Sequence, residues 1–138
     1  MKIDIPWWLT IVIILETAPM FIGPVVALNL PAMMGGPGAE TINQAAYIYL
    51  ARNFAVGLAL LIAFALRNGP MLFILILVRL ITDLIDLPTF LHFNLASNEP
   101  RLIAIFVFLY YIPAIFALRY IWQRMHIAEP VKEPGGGA

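Results

Sequence analysis

The chain has 138 residues, of which 62% are hydrophobic and 12% charged, and its formal net charge is zero. Soluble domains are about half apolar and about a quarter charged, so this composition excludes an ordinary soluble domain and indicates an integral membrane protein. The neutral balance gives no basis for nucleic acid as a partner. The absence of cysteine excludes disulfides, thiolate metal ligands and a cysteine nucleophile.

Four stretches of the chain are apolar and long enough to cross a bilayer, which takes about 20 helical residues. They cover residues 6–28, 45–66, 71–87 and 101–122. The predicted fold is therefore all-α, a transmembrane bundle of four helices that forms a single domain, residues 1–128. Residues 129–138 contain too little apolar surface to pack, so we expect a disordered cytoplasmic tail.

The first stretch differs from a secretory signal peptide. Its apolar core is longer than the usual ~7–15 residues, only Lys2 provides a basic residue before it, and Glu16 lies at its centre. A retained spanning helix is predicted. Pro19 and Pro24 each remove a helical hydrogen bond and are expected to kink its second half.

The second stretch carries small residues at every fourth position, namely Ala51, Ala55, Ala59 and Ala63. Such a ridge lets a neighbouring helix approach closely, so it predicts the packing face of this span. Arg52 lies beside that ridge and is expected to point into the bundle. The third span is predicted to end before Pro88.

Three ionisable residues interrupt the third span. At about 100° per residue, Arg79, Thr82, Asp83 and Asp86 fall within an arc of roughly 100°, so one face of this helix is polar. A charge facing lipid at the bilayer centre costs at least ~2.5–3.5 kcal/mol on insertion scales. This face is therefore predicted to turn toward the other helices or a watery cavity.

The distribution of basic residues predicts the orientation. The termini and the turn after the second span carry Lys2, Arg67, Arg119, Arg124 and Lys132, whereas the opposite loops offer only Arg101. By the positive-inside rule both termini face the cytoplasm. We expect a bacterial inner membrane. Interfacial aromatic residues agree with the orientation, with Trp7, Trp8, Tyr120 and Trp122 at the cytoplasmic side and Tyr47, Tyr49, Phe90 and Phe93 at the other.

The rise of a helix predicts which charges meet. Glu16 and Arg79 each lie roughly 14–15 Å from the cytoplasmic edge of a ~30 Å core, and Arg52 lies at about the depth of Asp83. The predicted ion pairs are Glu16 with Arg79 and Arg52 with Asp83. Asp86 is then a spare acid, to be held by Arg52, Asn53 or His92.

Two interpretations of this polar set remain open. In the first, complementary charges fix the register of the helices. In the second, they border a cavity that binds a ligand or handles a proton, as intramembrane ionisable residues often do. The candidate cavity residues are Glu16, Arg52, Asn53, Arg79, Asp83 and Asp86. His92 and His126 are predicted to be solvated, and neither a metal nor a cofactor is predicted.

The segment Tyr47–Gly57, with Arg79 and Asp83 one span later, resembles the small four-helix membrane proteins of the DoxX-like group. Some members of that group are linked to oxidoreductase systems or quinone-associated processes, so the resemblance implies such an association. The chain is also similar to sterol isomerase-like proteins with four or five helices, which keep acidic residues in a membrane cavity. No catalytic residue is carried over from them, because their aromatic and acidic signatures are incomplete in this sequence.

The predicted function is that of an accessory or assembly subunit of a larger membrane complex, with a redox or energy-converting complex as one candidate. The short loops and the small-residue face favour packing on other membrane subunits. The alternative is a small membrane enzyme or binding protein for a lipid, sterol or quinone that uses the polar cavity. The sequence leaves open whether the protein has enzymatic activity.

Overall fold

A computed structural model describes residues 1–31, 44–92 and 99–127, so the predicted tail at 129–138 lies outside the described residues. Three uninterrupted helices come first: α1 (Trp7–Asn29), α2 (Gln44–Ala65) and α3 (Gly69–His92). The last helix, α4, consists of the α-helical segment Glu99–Ile105, the π-helical segment Phe106–Tyr111 and the α-helical segment Ile112–Ile127. The predicted all-α fold of four helices is confirmed.

Three of these helices have the length and apolarity needed to cross a membrane, namely α1, α2 and the Pro100–Ile127 part of α4. Helix α3 is long enough, but any 18-residue window within it contains Arg79, Asp83 and Asp86. The outer surface is rich in large apolar side chains such as Ile22, which is 61% exposed. These are the features of a membrane protein.

The helices form a closed bundle. Helix α1 packs on α2, α2 on α3, α3 on α4, and α4 returns to α1. The centre consists of aliphatic side chains that are fully buried and come from all four helices: Leu9, Ile13, Leu60, Leu72, Ile76 and Ile121. This core lies toward one end of the bundle and leaves the polar residues of α3 nearer the other end.

The turn between α2 and α3 lies at the end of the bundle that is nearer to this aliphatic core. Arg67 has a φ of 51°, and the amides of Arg67 and Asn68 bond to the carbonyls of Phe64 and Ala63, which is the Schellman arrangement that ends a helix. The side chain of Asn68 then accepts a hydrogen bond from the amide of Met71 and caps α3. The chain thereby reverses within a few residues.

The N-terminal segment lies against this turn. The amide of Ile3 donates to the carbonyl of Arg67, and the amide of Gly69 donates to the carbonyl of Met1. The hydroxyl of Tyr120 in α4 donates to the carbonyl of Asp4. The N-terminus, the turn and the end of α4 therefore occupy one end of the bundle, and their orientation relative to the cytoplasm stays a prediction.

Two helices extend beyond their predicted ends. Helix α3 continues through Pro88 to His92, so the predicted end at Leu87 is wrong. Pro88 is exposed, and the hydroxyl of Thr89 donates to the carbonyl of Ile85 and supports the helix beyond the proline. Helix α4 likewise extends to Ile127, five residues past the predicted 122.

The packing face of α2 also differs from the prediction. Ala51 and Ala55 are exposed, whereas the buried positions on this helix include Asn53 and Gly57. A Cβ atom at Gly57 would lie 3.2 Å from the Cβ of Met20, so glycine is what allows α1 to approach so closely. Of the predicted alanine ridge, Ala63 alone is fully buried.

Candidate functional site

The polar face of α3 contains a buried ion pair. Arg79 Nη1 lies 2.7 Å from Asp83 Oδ1, and the two residues are four positions apart on one face of the helix. Their side chains are 7% and 2% exposed. The sequence placed both residues on an interior face, and the structure agrees.

Glu16 of α1 approaches this pair from across the bundle. Its Oε2 lies 3.8 Å from Arg79 Nε, which is close enough for an ion pair but too long for a hydrogen bond. The predicted contact between Glu16 and Arg79 is confirmed. Arg79 therefore lies between two carboxylates and bonds directly to the one on its own helix.

This buried cluster, Glu16, Arg79 and Asp83, is incompletely satisfied. Within the part of the chain that the structure describes, Glu16 Oε1 and Oε2, Arg79 Nε and Asp83 Oδ2 are buried and have no hydrogen-bond partner. With both carboxylates ionised, one guanidinium would face two negative charges. Buried polar groups in folded proteins are normally hydrogen-bonded, so this cluster is an exception.

Arg52 forms a different ion pair from the predicted one. Arg52 Nη2 lies 3.1 Å from Asp86 Oδ2 and 3.2 Å from Asp86 Oδ1. The predicted pair of Arg52 with Asp83 is therefore wrong, and of the three partners predicted for Asp86 the structure shows Arg52. The physical reason is that Asp83 is already held by Arg79 on its own helix. The side chain of Arg52 is 45% exposed, so it lies at the rim of the bundle and does not point into it.

A cavity of about 220 Å³ opens beside the buried cluster. All four helices contribute to its wall, which combines charged, phenolic and apolar side chains. The lining residues are Pro19, Tyr49, Arg79, Asp83, Asp86, Phe90, Leu102, Ile105, Phe106 and Tyr110. Since Asp86 also bonds to the exposed Arg52, the exposed pair marks the rim of this cavity.

The π-helical segment of α4 shapes one wall of the cavity. The amide of Ile112 donates to the carbonyl of Val107, five residues back, which is the π-helical pattern. Pro113 follows immediately, and the wider turn gives its ring room next to the carbonyl of Leu109. Such π-helical segments are frequent at functional sites.

Helix α4 is also tied directly to the buried ion pair. The hydroxyl of Tyr111 donates to the carbonyl of Asp83 at 2.9 Å. Phe106, at the start of the π-helical segment, lies near Phe90 of α3 with ring centroids 6.4 Å apart. The segment therefore contacts α3 through both Phe106 and Tyr111.

The six predicted site residues lie in three different environments. Arg79, Asp83 and Asp86 line the cavity. Glu16 contacts Arg79 from α1, and Arg52 lies at the rim. Asn53 is buried elsewhere on α2, where its amide nitrogen donates to the carbonyl of Tyr49.

Most of the aromatic and apolar residues that line the cavity were not predicted from the sequence. Tyr49 and Phe90 were assigned to an interfacial belt, and Tyr110 was given no role. A usable signal existed, since a tyrosine within a span needs a partner for its hydroxyl. The positions of Leu102, Ile105 and Phe106 depend on the rotation of α4, which no local pattern reveals.

Comparison with known proteins identified no relative of this chain. No family model matches the chain, no curated protein matches it, and no solved structure matches it. The resemblance to the DoxX-like group therefore stays a prediction, and the function is inferred from the geometry of the site.

Proposed function

We propose that the protein binds the polar head of a small lipid-soluble molecule, of the lipid, sterol or quinone class, in the cavity beside Arg79 and Asp83. One observation carries the proposal: a cavity walled by all four helices combines charged and phenolic side chains with apolar ones, and it lies beside the buried ion pair of Arg79 and Asp83. A ligand of this kind places its polar head near the charged and phenolic side chains and covers the apolar wall.

The polar part of the wall suits a polar head. The carboxylate of Asp86 accepts hydrogen bonds, and the phenolic hydroxyls of Tyr49 and Tyr110 both donate and accept them.

The size of the cavity restricts what enters it. Pockets for drug-sized ligands have volumes of roughly 300–1,000 Å³, so a cavity of about 220 Å³ is small for a whole lipid. The head of the molecule fits inside and its apolar remainder extends along the outer surface of the bundle. Exposed side chains such as Phe108 and Ile115 make that surface apolar.

Two neighbouring residues of α4 provide a matched test. Leu102 lines the cavity, whereas Ile103 is exposed and is not among the lining residues. Leu102→Trp adds a large side chain at the cavity wall, and Ile103→Trp adds the same side chain outside it. Each variant is purified in mild detergent, and the small molecules that co-purify are identified by mass spectrometry.

We expect wild type and Ile103→Trp to retain one compound at near-stoichiometric amounts and Leu102→Trp to lose most of it. Folding of each variant is checked by circular dichroism. If no compound is enriched in the wild type, or if Leu102→Trp retains it as well as Ile103→Trp does, the proposal is wrong.

A second candidate function is that of an accessory subunit of a larger membrane complex. The observation that favours it is the outward orientation of Ala51 and Ala55, since small residues on an outer helix face allow another helix to pack closely. Replacing both by leucine is expected to abolish co-migration with defined partner subunits on native gels. The Leu102→Trp variant is the control, because it leaves that face unchanged.

A further inference from the structure

We infer that the protein has a second binding site, which takes an anionic phospholipid from the surrounding bilayer in a groove between the start of α1 and the last turns of α4. The groove has a volume of about 400 Å³. Its lining residues are Trp8, Phe116, Arg119, Tyr120 and Gln123. It shares no lining residue with the cavity of the proposed function, so the two sites are independent.

The groove follows one face of α4. Its residues on this helix are Phe116, Arg119, Tyr120 and Gln123. They are spaced by three or four positions, so they lie one above another on the helix surface. Trp8 of α1 lies against this face, with its ring centroid 5.1 Å from that of Tyr120. Because α4 is long and apolar enough to cross the membrane, the groove runs in the direction of the acyl chains of a lipid.

The groove lies at one end of the bundle, at the level where lipid head groups are found. Trp8 is the second residue of α1, and the hydroxyl of Tyr120 donates to the carbonyl of Asp4, which precedes that helix. Tryptophan and tyrosine are enriched at this level of membrane proteins, since their rings are apolar and carry a polar group. Further into the membrane, the exposed Phe116 and Ile115 make the surface of α4 apolar. A lipid in the groove therefore places its phosphate near Tyr120 and its chains beside Phe116.

Arg119 provides a positive charge at this level that is available to a ligand. Arg119 is exposed, and its side chain forms neither an ion pair nor a hydrogen bond with another residue that the structure describes. Arg124 adds a second cation beside the groove, since its Nε donates to the hydroxyl of Tyr120. Asp4, an acidic residue of the same end, forms no ion pair with either arginine. An anionic phosphate complements this charge, and guanidinium groups bind phosphate through paired hydrogen bonds.

The composition of the groove favours a lipid over a soluble phosphate. A phosphate ion from solution would meet the arginine but leave the aromatic rings of Trp8, Phe116 and Tyr120 uncovered. The acyl chains of a lipid cover these rings. At the polar end, the amide of Gln123 both donates and accepts hydrogen bonds, which suits the hydroxyl groups of a glycerol head. The expected occupant is therefore a phospholipid whose head group carries a net negative charge.

Two lipids with identical acyl chains test this inference: phosphatidylglycerol, which is anionic, and phosphatidylcholine, whose head group has no net charge. Each lipid is titrated into the full-length protein in a neutral detergent, and bound lipid is measured by native mass spectrometry. The attraction of one basic residue to anionic lipid corresponds to about a fivefold change in affinity. Phosphatidylglycerol is therefore expected to bind about fivefold more tightly than phosphatidylcholine.

Matched variants assign the preference to the groove. Arg119→Gln is expected to reduce the preference for phosphatidylglycerol to less than about twofold. Arg67→Gln is the control and should keep the preference, because Arg67 is exposed at the same end but does not line the groove. Phe116→Ala is expected to weaken both lipids, whereas Ile115→Ala, at the neighbouring exposed position outside the groove, should weaken neither. All four residues are exposed, so the variants are expected to fold, which circular dichroism checks.

The outcomes separate this site from other occupants and from the cavity. Equal binding of the two lipids, or a preference that survives Arg119→Gln, would contradict the inference. The lipid is expected to stay bound in excess inorganic phosphate. Displacement beyond that caused by sodium chloride at the same ionic strength would mean that the groove takes a soluble phosphate instead.

The Leu102→Trp variant distinguishes this inference from the proposed function. It changes the wall of the other cavity and should leave the preference for phosphatidylglycerol unchanged. Loss of the preference in Leu102→Trp would place the anionic lipid in that cavity and overturn the assignment to the groove.

Discussion

Two ion-paired sites share helix α3, and they differ chiefly in burial. Arg79 and Asp83 are buried, and they leave unpaired atoms on both side chains. Asp86, less than one helical turn further along, bonds to the exposed Arg52 through both of its oxygens. The pair with fewer unmet hydrogen bonds is thus the one nearer the surface.

The difference shows that proximity of opposite charges does not by itself indicate a stabilising role. Exposed ion pairs typically contribute about 0.2–1 kcal/mol, whereas removing one partner of a buried pair costs about 3–5 kcal/mol, because a charge is left unpaired. The exposed pair of Arg52 and Asp86 therefore contributes little to the stability of the fold. The buried cluster is expensive to disturb even though it is imperfectly paired.

The largest effect is expected for Arg79→Leu. This change leaves Glu16 and Asp83 buried without a cation and should lower the free energy of unfolding by about 3–5 kcal/mol. The measurement is reversible unfolding in detergent or bilayers. Combining Arg79→Leu with Asp83→Leu should cost less than the sum of the two single changes. Strict additivity would mean that the two residues do not interact.

A smaller loss is expected for Asp83→Asn. Asparagine keeps the shape of the side chain but removes the charge that bonds to Arg79 at 2.7 Å. Hydrogen bonds to charged groups contribute about 1.5–3 kcal/mol, so a loss of this size is expected in the same unfolding assay. A loss below that of Asp86→Asn would contradict the difference between the buried and the exposed site.

Glu16→Gln tests whether the second buried carboxylate is surplus. Glu16 accepts no hydrogen bond from the described residues and lies 3.8 Å from Arg79, which already bonds to Asp83. Removing its charge should therefore change the free energy of unfolding by no more than about 1 kcal/mol. A loss as large as that of Arg79→Leu would show that Glu16 is the main partner of Arg79.

The smallest change in stability is expected for Asp86→Asn. The pair with Arg52 is partly exposed, so its loss should cost less than about 1 kcal/mol and the cost should shrink as salt is added. Because Asp86 lines the cavity, the same variant should weaken binding of the ligand. Arg52→Gln is the control, since it removes the same ion pair from outside the cavity wall. Collapse of the fold in Asp86→Asn with normal binding by the remaining protein would contradict this prediction.

The helices and the polar face of α3 followed from local patterns, since apolar stretches of sufficient length and the angular spacing of Arg79, Asp83 and Asp86 are properties of the sequence. Depth counting also found the contact of Glu16 with Arg79. The same estimate of depth did not identify the correct partner of Arg52. Asp83 and Asp86 differ in depth by only about 4.5 Å, which is within the reach of an arginine side chain.

Composition and periodicity by themselves determined an all-α bundle with an interior polar face. Only the tertiary structure decided which acid Arg52 met, that Gly57 and not the alanine ridge faced α1, and that α4 placed aromatic residues on the cavity wall. The physical reason is that helical spacing defines a face but not the rotation of that face toward its neighbours. That rotation results from the packing of all four helices at once, here including the π-helical segment before Pro113.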